Sequence, residues 1–202
     1  RMADKFAGAG MMAGHPNETK PDGLRNIGFA LHMGEQDGMY DRNKIAENWK
    51  IQLSELQKED RGAYSHQVII HKDKGHWMGG LDAQALPWLS KFTREPYPRK
   101  IVWVQDDVLR NQFYWLSVSE PKARDKTVAE IDGQTISVQT SHLGTMTIYL
   151  KDEMLDLDRA VYINVNGAAP LRYEIKRDAS VIRQSMRDEK DWYSAKVELS
   201  IQ

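Results

Sequence analysis

The chain has 202 residues, 41% of them hydrophobic and 28% charged, with six Trp, eight Tyr and four Phe. That composition supports packed cores in one ordinary domain or two small ones, and excludes a mainly disordered chain or a coiled coil. Twenty-eight basic and 29 acidic side chains leave a net charge of −1, so no overall field draws in nucleic acid or an anionic membrane. No apolar run approaches the roughly 18 residues of a membrane helix, and the opening residues carry no signal-peptide pattern. Cysteine is absent, which excludes disulfides, thiolate metal sites and a Cys nucleophile without fixing a compartment.

In chain order, Arg1 to Lys5 read as the last turn of a helix, and Phe6 to Ala13 as a buried strand of small residues. A strand of that composition suits the interior of a sheet, with neighbours on both sides. The chain is therefore expected to open within a domain rather than at its start. Asn26 to Met33 is a short apolar run ending at Gly34, a second buried strand. Asp41 can cap the helix that follows, in which Ile45, Trp49, Leu53 and Leu56 line one face. Lys44, Glu47, Lys50, Glu55 and Lys58 occupy the rest of it. Ser65 to His71, with Val68-Ile69-Ile70, predicts a third strand; Asp82 to Phe92 predicts a helix packing through Leu86, Trp88 and Leu89. Strand, helix, strand, helix in close order predicts a parallel sheet with helices on its faces.

Pro96, Pro98 and Arg99 read as a linker, after which short strands dominate. They are predicted at 101–104, 113–117, 135–139, 145–150, 161–166, 171–176 and 195–201. Asp132-Gly133, Leu143-Gly144 and Asn166-Gly167 supply turn signals between them. Their spacing predicts an antiparallel sandwich of immunoglobulin-like type. The fold class is thus α/β plus all-β, with residues 1–95 and 97–202 as two domains. No internal repeat or low-complexity tract interrupts them.

Two loops carry residues suited to chemistry, each just beyond the C-terminal end of a predicted parallel strand, the edge where α/β sheets build their sites. His32 to Asp41 contains Gly34-Glu35-Gln36-Asp37-Gly38; His71 to Gly80 contains Gly75-His76-Trp77. An Asp in a glycine-rich turn is ordinarily a turn former, and a loop His an ordinary surface residue. Together, at the ends of adjacent strands, they suit a nucleophilic hydrolase. The imidazole takes a hydroxyl proton, and the carboxylate holds its tautomer.

On these residues, the first 92 positions resemble the C-terminal half of an α/β-hydrolase catalytic domain, of the esterase, depolymerase and prolyl-oligopeptidase-like kind. Gly34-Glu35-Gln36-Asp37 matches the family's acid loop and Gly75-His76 its histidine loop. The resemblance implies Asp37 as triad acid and His76 as triad base. Arg1 to Gly14 resembles the stretch that follows the nucleophile helix. Residues 97–202 resemble the β-sandwich appended to some bacterial members, most recognisably from Leu155-Asp156-Leu157-Asp158 to Asn166-Gly167. Such an appendage leans towards export.

The family's Gly-x-Ser-x-Gly nucleophile elbow occurs nowhere in the chain. Ser54 falls in a helix, Ser65 opens a strand, and Ser90 lies in the last helix of the first part. The chain is expected to carry triad acid and base without the serine, and to be inactive alone on its ester or amide substrate. The expected partner is the missing N-terminal half of the hydrolase domain, or a second copy covering the exposed sheet edge, rather than nucleic acid or membrane. No cofactor or metal is implied.

Further candidates are weaker. His66, His71 and His76 recur every five residues, but positions five apart on a strand face opposite sides, which argues against a shared metal. His15 and Trp77 are candidate lining of the substrate cleft; a turn role for Asn17 beside His15, and loop packing for Trp77, are the plainer alternatives. Lys122, Arg124 and Lys126 read as a solvated basic loop. Trp103, Tyr114 and Trp115 either pack a core or form a platform for sugar rings. That platform is the basis of an alternative function, a non-catalytic module binding carbohydrate or protein through the sandwich.

Overall fold

Small and branched residues pair side by side in three parallel strands, β1 (Gly8–Met12), β2 (Gly28–Gly34) and β3 (His66–His71), in the order β1-β2-β3. The computed structural model describes residues 2–186 and 191–202. They form a mixed α/β protein with three α-helices and several sheets, and divide into two compact units, Met2–Glu95 and Pro96–Gln202. None of the described helices is long and apolar enough to cross a membrane.

In the first unit, α1 (Arg42–Glu59) buries Ala46, Trp49 and Leu53 against Phe29, Leu31 and Met33 of β2, with Ile45 and Leu56 partly buried beside them. These are alternate residues of the strand, so α1 covers one face of the sheet. On the other face, β1 and β2 begin with small residues, Gly8, Gly10, Gly28 and Ala30. A Cβ on Gly8 would lie 3.0 Å from Leu89, and one on Gly28 only 2.4 Å from the Phe92 ring. The glycines there admit the close approach of α2 (Ala85–Leu89) and the turn after it.

Several sequence expectations change. Ala3–Lys5 form a 3₁₀ turn, and Arg1 lies outside the described residues. β1 is shorter than 6–13, Phe6 is exposed, and the strand is an edge, paired only with β2 among the described residues. Its composition suits two neighbours, but with one it is only partly buried. Asp41 occupies the N-cap position of α1 without accepting a backbone cap bond. Its backbone is left-handed and its carboxylate accepts from Lys44 Nζ at 2.9 Å instead. The helix predicted at 82–92 is a run of 3₁₀ turns (Met78–Gln84) followed by the short α2. Pro87 cannot donate to the carbonyl four residues back, so a regular helix cannot run through from Asp82. Leu86 is consequently exposed rather than packed.

The second unit has two sheets. One contains β4 (Lys100–Val104), β7 (Lys126–Asp132), β8 (Thr135–Thr140), β10 (Val161–Val165) and β11 (Leu171–Tyr173), in the order β11-β10-β8-β7-β4. The other contains β5 (Gln112–Phe113), β6 (Leu116–Val118), β9 (Gly144–Leu150) and β12 (Ala195–Ile201), in the order β12-β9-β6-β5. Alternate residues are buried along β7 and β12, the pattern of strands with one face in a core. The run predicted at 113–117 is a tight hairpin, β5 and β6, turning at Tyr114 with φ 49°.

Two further corrections concern this unit. β7 begins at Lys126, within the stretch read as a basic loop. Its buried residues, Thr127, Ala129 and Ile131, are a weak apolar signal. The strands are not all antiparallel, because β8 and β10 pair in parallel. Between them the chain visits the other sheet as β9, and the crossover returns it in the same direction. A helix not foreseen, α3 (Ala179–Ser185), is capped by Asp178, whose carboxylate accepts from Ser180 N at 2.7 Å.

Two substitutions test this packing in the first unit. Gly28→Ala should destabilise it by about 1–3 kcal/mol by forcing Phe92 aside, and Leu53→Ala by about 2–5 kcal/mol through the cavity left under α1. Urea unfolding followed by tryptophan fluorescence measures both.

Candidate active site

Parallel register brings the ends of β2 and β3 together, with Met33 opposite Ile70 and Gly34 opposite His71. Both chains then leave the sheet at its C-terminal edge, and their loops are laced to one another. Glu35 N donates to His71 O at 3.0 Å, Gln36 N to Lys74 O at 2.9 Å, and Asp73 N to the Glu35 carboxylate at 2.9 Å. Gly34 makes this possible. A Cβ there would stand 2.2 Å from the Gly75 carbonyl oxygen and 2.5 Å from that of Lys74.

The lacing delivers Asp37 and His76 to one point, where His76 Nδ1 lies 2.8 Å from Asp37 Oδ2. The Asp37 side chain is 3% exposed and that of His76 42%. A carboxylate oxygen accepts, so Nδ1 carries the proton of this bond. Nε2 has no protein hydrogen bond among the described residues and is left as the free nitrogen. The other oxygen of Asp37, Oδ1, accepts from Arg42 Nη1 at 3.0 Å. Arg42 is the first residue of α1, and the Asp37 backbone carbonyl accepts from Asn43 N at 3.2 Å. Helix start and acid loop are thus one structure.

The rim of the dyad is aromatic. Trp77 is 85% exposed and stands edge-on to His76, with ring centroids 5.1 Å apart. Tyr40 is also exposed, and its ring lies 5.2 Å from the Arg42 guanidinium carbon. Tyr40, Asp41, Asp73 and Met78 all have positive φ, between 49° and 56°. Such conformations are strained for side-chain-bearing residues and persist only where surrounding bonds impose them.

The remaining candidates separate. His15 is exposed, and its Nδ1 accepts from Asn17 N at 3.0 Å, a local turn in which Asn17 has φ 52°. No hydrogen bond or ion pair joins His15 to Asp37 or His76 among the described residues. The three histidines spaced by five go to three places. His66 meets the Tyr64 carbonyl at 2.8 Å, His71 meets His32, and His76 meets Asp37. Among the described residues no group of three metal-ligating side chains forms. Ser54 Oγ donates to Lys50 O at 2.8 Å and lies 3.4 Å from His66 Nε2, and Ser90 Oγ donates to Pro87 O. Trp103, Tyr114 and Trp115 are all buried, with Trp115 Nε1 donating to Pro98 O at 2.8 Å. Buried rings present no face to a sugar, so this platform for carbohydrate does not form.

Two features had no sequence signal of their own. Arg42 is one cation in a charged stretch until the loop folds back onto it. His32 and His71, on adjacent strands beneath the loops, are both buried and lie 3.0 Å apart, Nδ1 to Nε2. Burial, and then the His71 imidazole, lower the pKa of His32 below its ordinary 6.5, while the Gln67 side chain and the Asp82 carboxylate pull weakly the other way. Comparison with protein-family models, with curated proteins and with solved structures found no match to this chain.

Two predictions arise from this geometry. Gly34→Ala should drive the histidine loop off the acid loop and break the Asp37–His76 bond, at a cost of about 1–3 kcal/mol; NMR of the His76 ring and urea unfolding read the two effects. For His32, the unfolded chain takes up the proton before the folded one as pH falls. Its contribution is therefore complete above about pH 6.5 and declines as pH drops from there towards the lowered folded value. Urea unfolding at pH 7.5 and 5.5 should show a smaller acid-side loss in His32→Gln than in the unaltered protein.

Proposed function

We propose that Met2–Glu95 is the acid-and-base half of a serine hydrolase of α/β type, and that Pro96–Gln202 is an immunoglobulin-like β-sandwich appended to it. The observation that carries this reading is the 2.8 Å bond between Asp37 and His76, formed by loops at the C-terminal rim of parallel strands. Three features of the dyad suit the role. The carboxylate is buried, the imidazole is half exposed, and Nε2 is free to face a hydroxyl.

In this reading the serine belongs to a polypeptide segment outside these 202 residues, which contain no nucleophile elbow. That segment is the proposed partner of the chain. The serine Oγ attacks an ester or amide carbonyl while His76 Nε2 takes its proton. The bond to the leaving group breaks as His76 returns that proton to it. Water then attacks the acyl-enzyme, again with His76 as base, and releases the acid. Asp37 holds Nδ1–H and stabilises the imidazolium that forms twice in each cycle. The donors of the oxyanion hole include the amide after the serine, so they too belong to that segment.

The test is hydrolysis of p-nitrophenyl esters by the longest polypeptide that the gene encodes, alongside the 202-residue chain. The longer polypeptide should turn over, and the shorter should not exceed the imidazole background. In the longer one His76→Ala should lower kcat by about 10⁶-fold and Asp37→Asn by about 10⁴-fold. Undiminished turnover in both variants would falsify the assignment.

A further inference from the structure

Asp37 presents a carboxylate whose two oxygens have different partners, and only one of them belongs to the dyad. Oδ2 accepts from His76; Oδ1 accepts from Arg42 Nη1 at 3.0 Å, on side chains 3% and 17% exposed. The same Nη1 lies 3.4 Å from His76 Nδ1. Both nitrogens carry protons for Asp37, so this approach is not a bond between them. It is two donors converging on one acceptor group. Tyr40 lies against the guanidinium, 5.2 Å from ring centroid to Cζ, and so braces it from another side.

We infer that Arg42 is the positioning residue of this site: its guanidinium sets the plane of the Asp37 carboxylate, and through it the tautomer and direction of the His76 ring. The inference rests on the proposed function for its catalytic meaning, though not for its geometry. The physical need is plain. A carboxylate removed from water needs compensation, and an imidazole hydrogen bond alone leaves it free to rotate about its χ2. A cation on Oδ1 stops that rotation and holds Oδ2, an acceptor, towards the ring, so the ring nitrogen facing it is the one that carries the proton. Nε2 is then fixed as the unprotonated nitrogen, the form a general base requires. Lys at this position would supply the charge, but as a freely rotating ammonium rather than a planar group that directs a fixed N–H at Oδ1. Arg42 does not reach Nε2 and takes no proton in the reaction. It acts through Asp37.

The inference is tested by NMR on the 202-residue chain, with no activity required. In the unaltered protein, the ¹⁵N shifts of His76 should report a single neutral tautomer protonated at Nδ1, with a low-field Nδ1–H proton protected from exchange. Arg42→Met keeps the aliphatic stem beside Tyr40 and removes the guanidinium. It should mix the two tautomers and speed exchange of that proton at least tenfold, while Arg42→Lys should restore protection in part. An unchanged tautomer and exchange rate in folded Arg42→Met would overturn the inference. Should that variant not fold, the unaltered protein decides. Hindered rotation of the Arg42 guanidinium supports the clamp, and free rotation rejects it. A failure of ester hydrolysis in the longer polypeptide would remove the hydrolase reading without touching these signals. Where hydrolysis succeeds, Arg42→Met should lower kcat at least tenfold with KM nearly unchanged, the pattern of a lost transition-state arrangement.

Discussion

A charged group withdrawn from water must find its compensation in the fold, and Asp37 is where this protein meets that demand. Its side chain is 3% exposed and divides its two oxygens between a guanidinium and an imidazole. Charge-assisted bonds of this kind are about twice as strong as neutral ones, and removing one partner of a buried charge costs far more than an exposed pair contributes. The consequence reaches beyond the side chains. Arg42 opens α1 and His76 sits on the loop after β3, so the carboxylate fastens the start of the helix to the end of the strand. The α1 face then packs on β2 through Trp49 and Leu53, and the sheet register in turn sets where the two loops emerge.

The strained backbone around the dyad follows from the same arrangement. Tyr40 and Asp41 must turn the chain from the acid loop into α1 within a few residues while Arg42 stays within reach of Oδ1. Both adopt left-handed conformations, and Asp41 gives up the capping bond its position would otherwise allow. The cost of each is of order 1–3 kcal/mol. Interlocked backbone bonds between Glu35 and His71, and between Gln36 and Lys74, hold the loops against relaxing. Gly34 contributes by having no side chain: the carbonyls of Lys74 and Gly75 fill the volume a Cβ would need.

The periodicity of Ile45, Trp49, Leu53 and Leu56 was enough to place α1, whose burial is one-sided; a short apolar run placed β2, which is buried throughout, and Val68-Ile69-Ile70 placed β3. Asp37 and His76 were legible as candidates because each follows a strand end in a glycine-bearing loop. Arg42 and the His32–His71 pair were not, since both depend on register and loop return, which residue spacing does not encode. β7 was missed because two of its three buried residues, Thr127 and Ala129, read as polar or small and give little apolar alternation. The parallel pairing of β8 with β10 depends on an excursion to the other sheet, which a list of strands cannot reveal. Leu86 was misplaced for a local reason: with Pro87 confining the helix to five residues, α2 packs through Ala85 and Leu89, and Leu86 is turned outward.

Two requirements left open by this chain point to the same place under the proposed function. The imidazole needs a hydroxyl opposite Nε2, and β1 has a row of backbone donors and acceptors on the side away from β2 with no strand against it among the described residues. Unpaired strand edges invite pairing, and Gly8, Ala9 and Gly10 offer a neighbour little steric resistance. A nucleophile elbow is a strand that ends in a serine at the C-terminal rim of a parallel sheet. Such a strand laid along β1 would bring its serine to the rim where β2 ends, the rim that already carries Asp37 and His76. A second copy of this chain could cover the edge but would bring no elbow. Under the proposed function, a serine-bearing strand on that edge would meet both requirements at once.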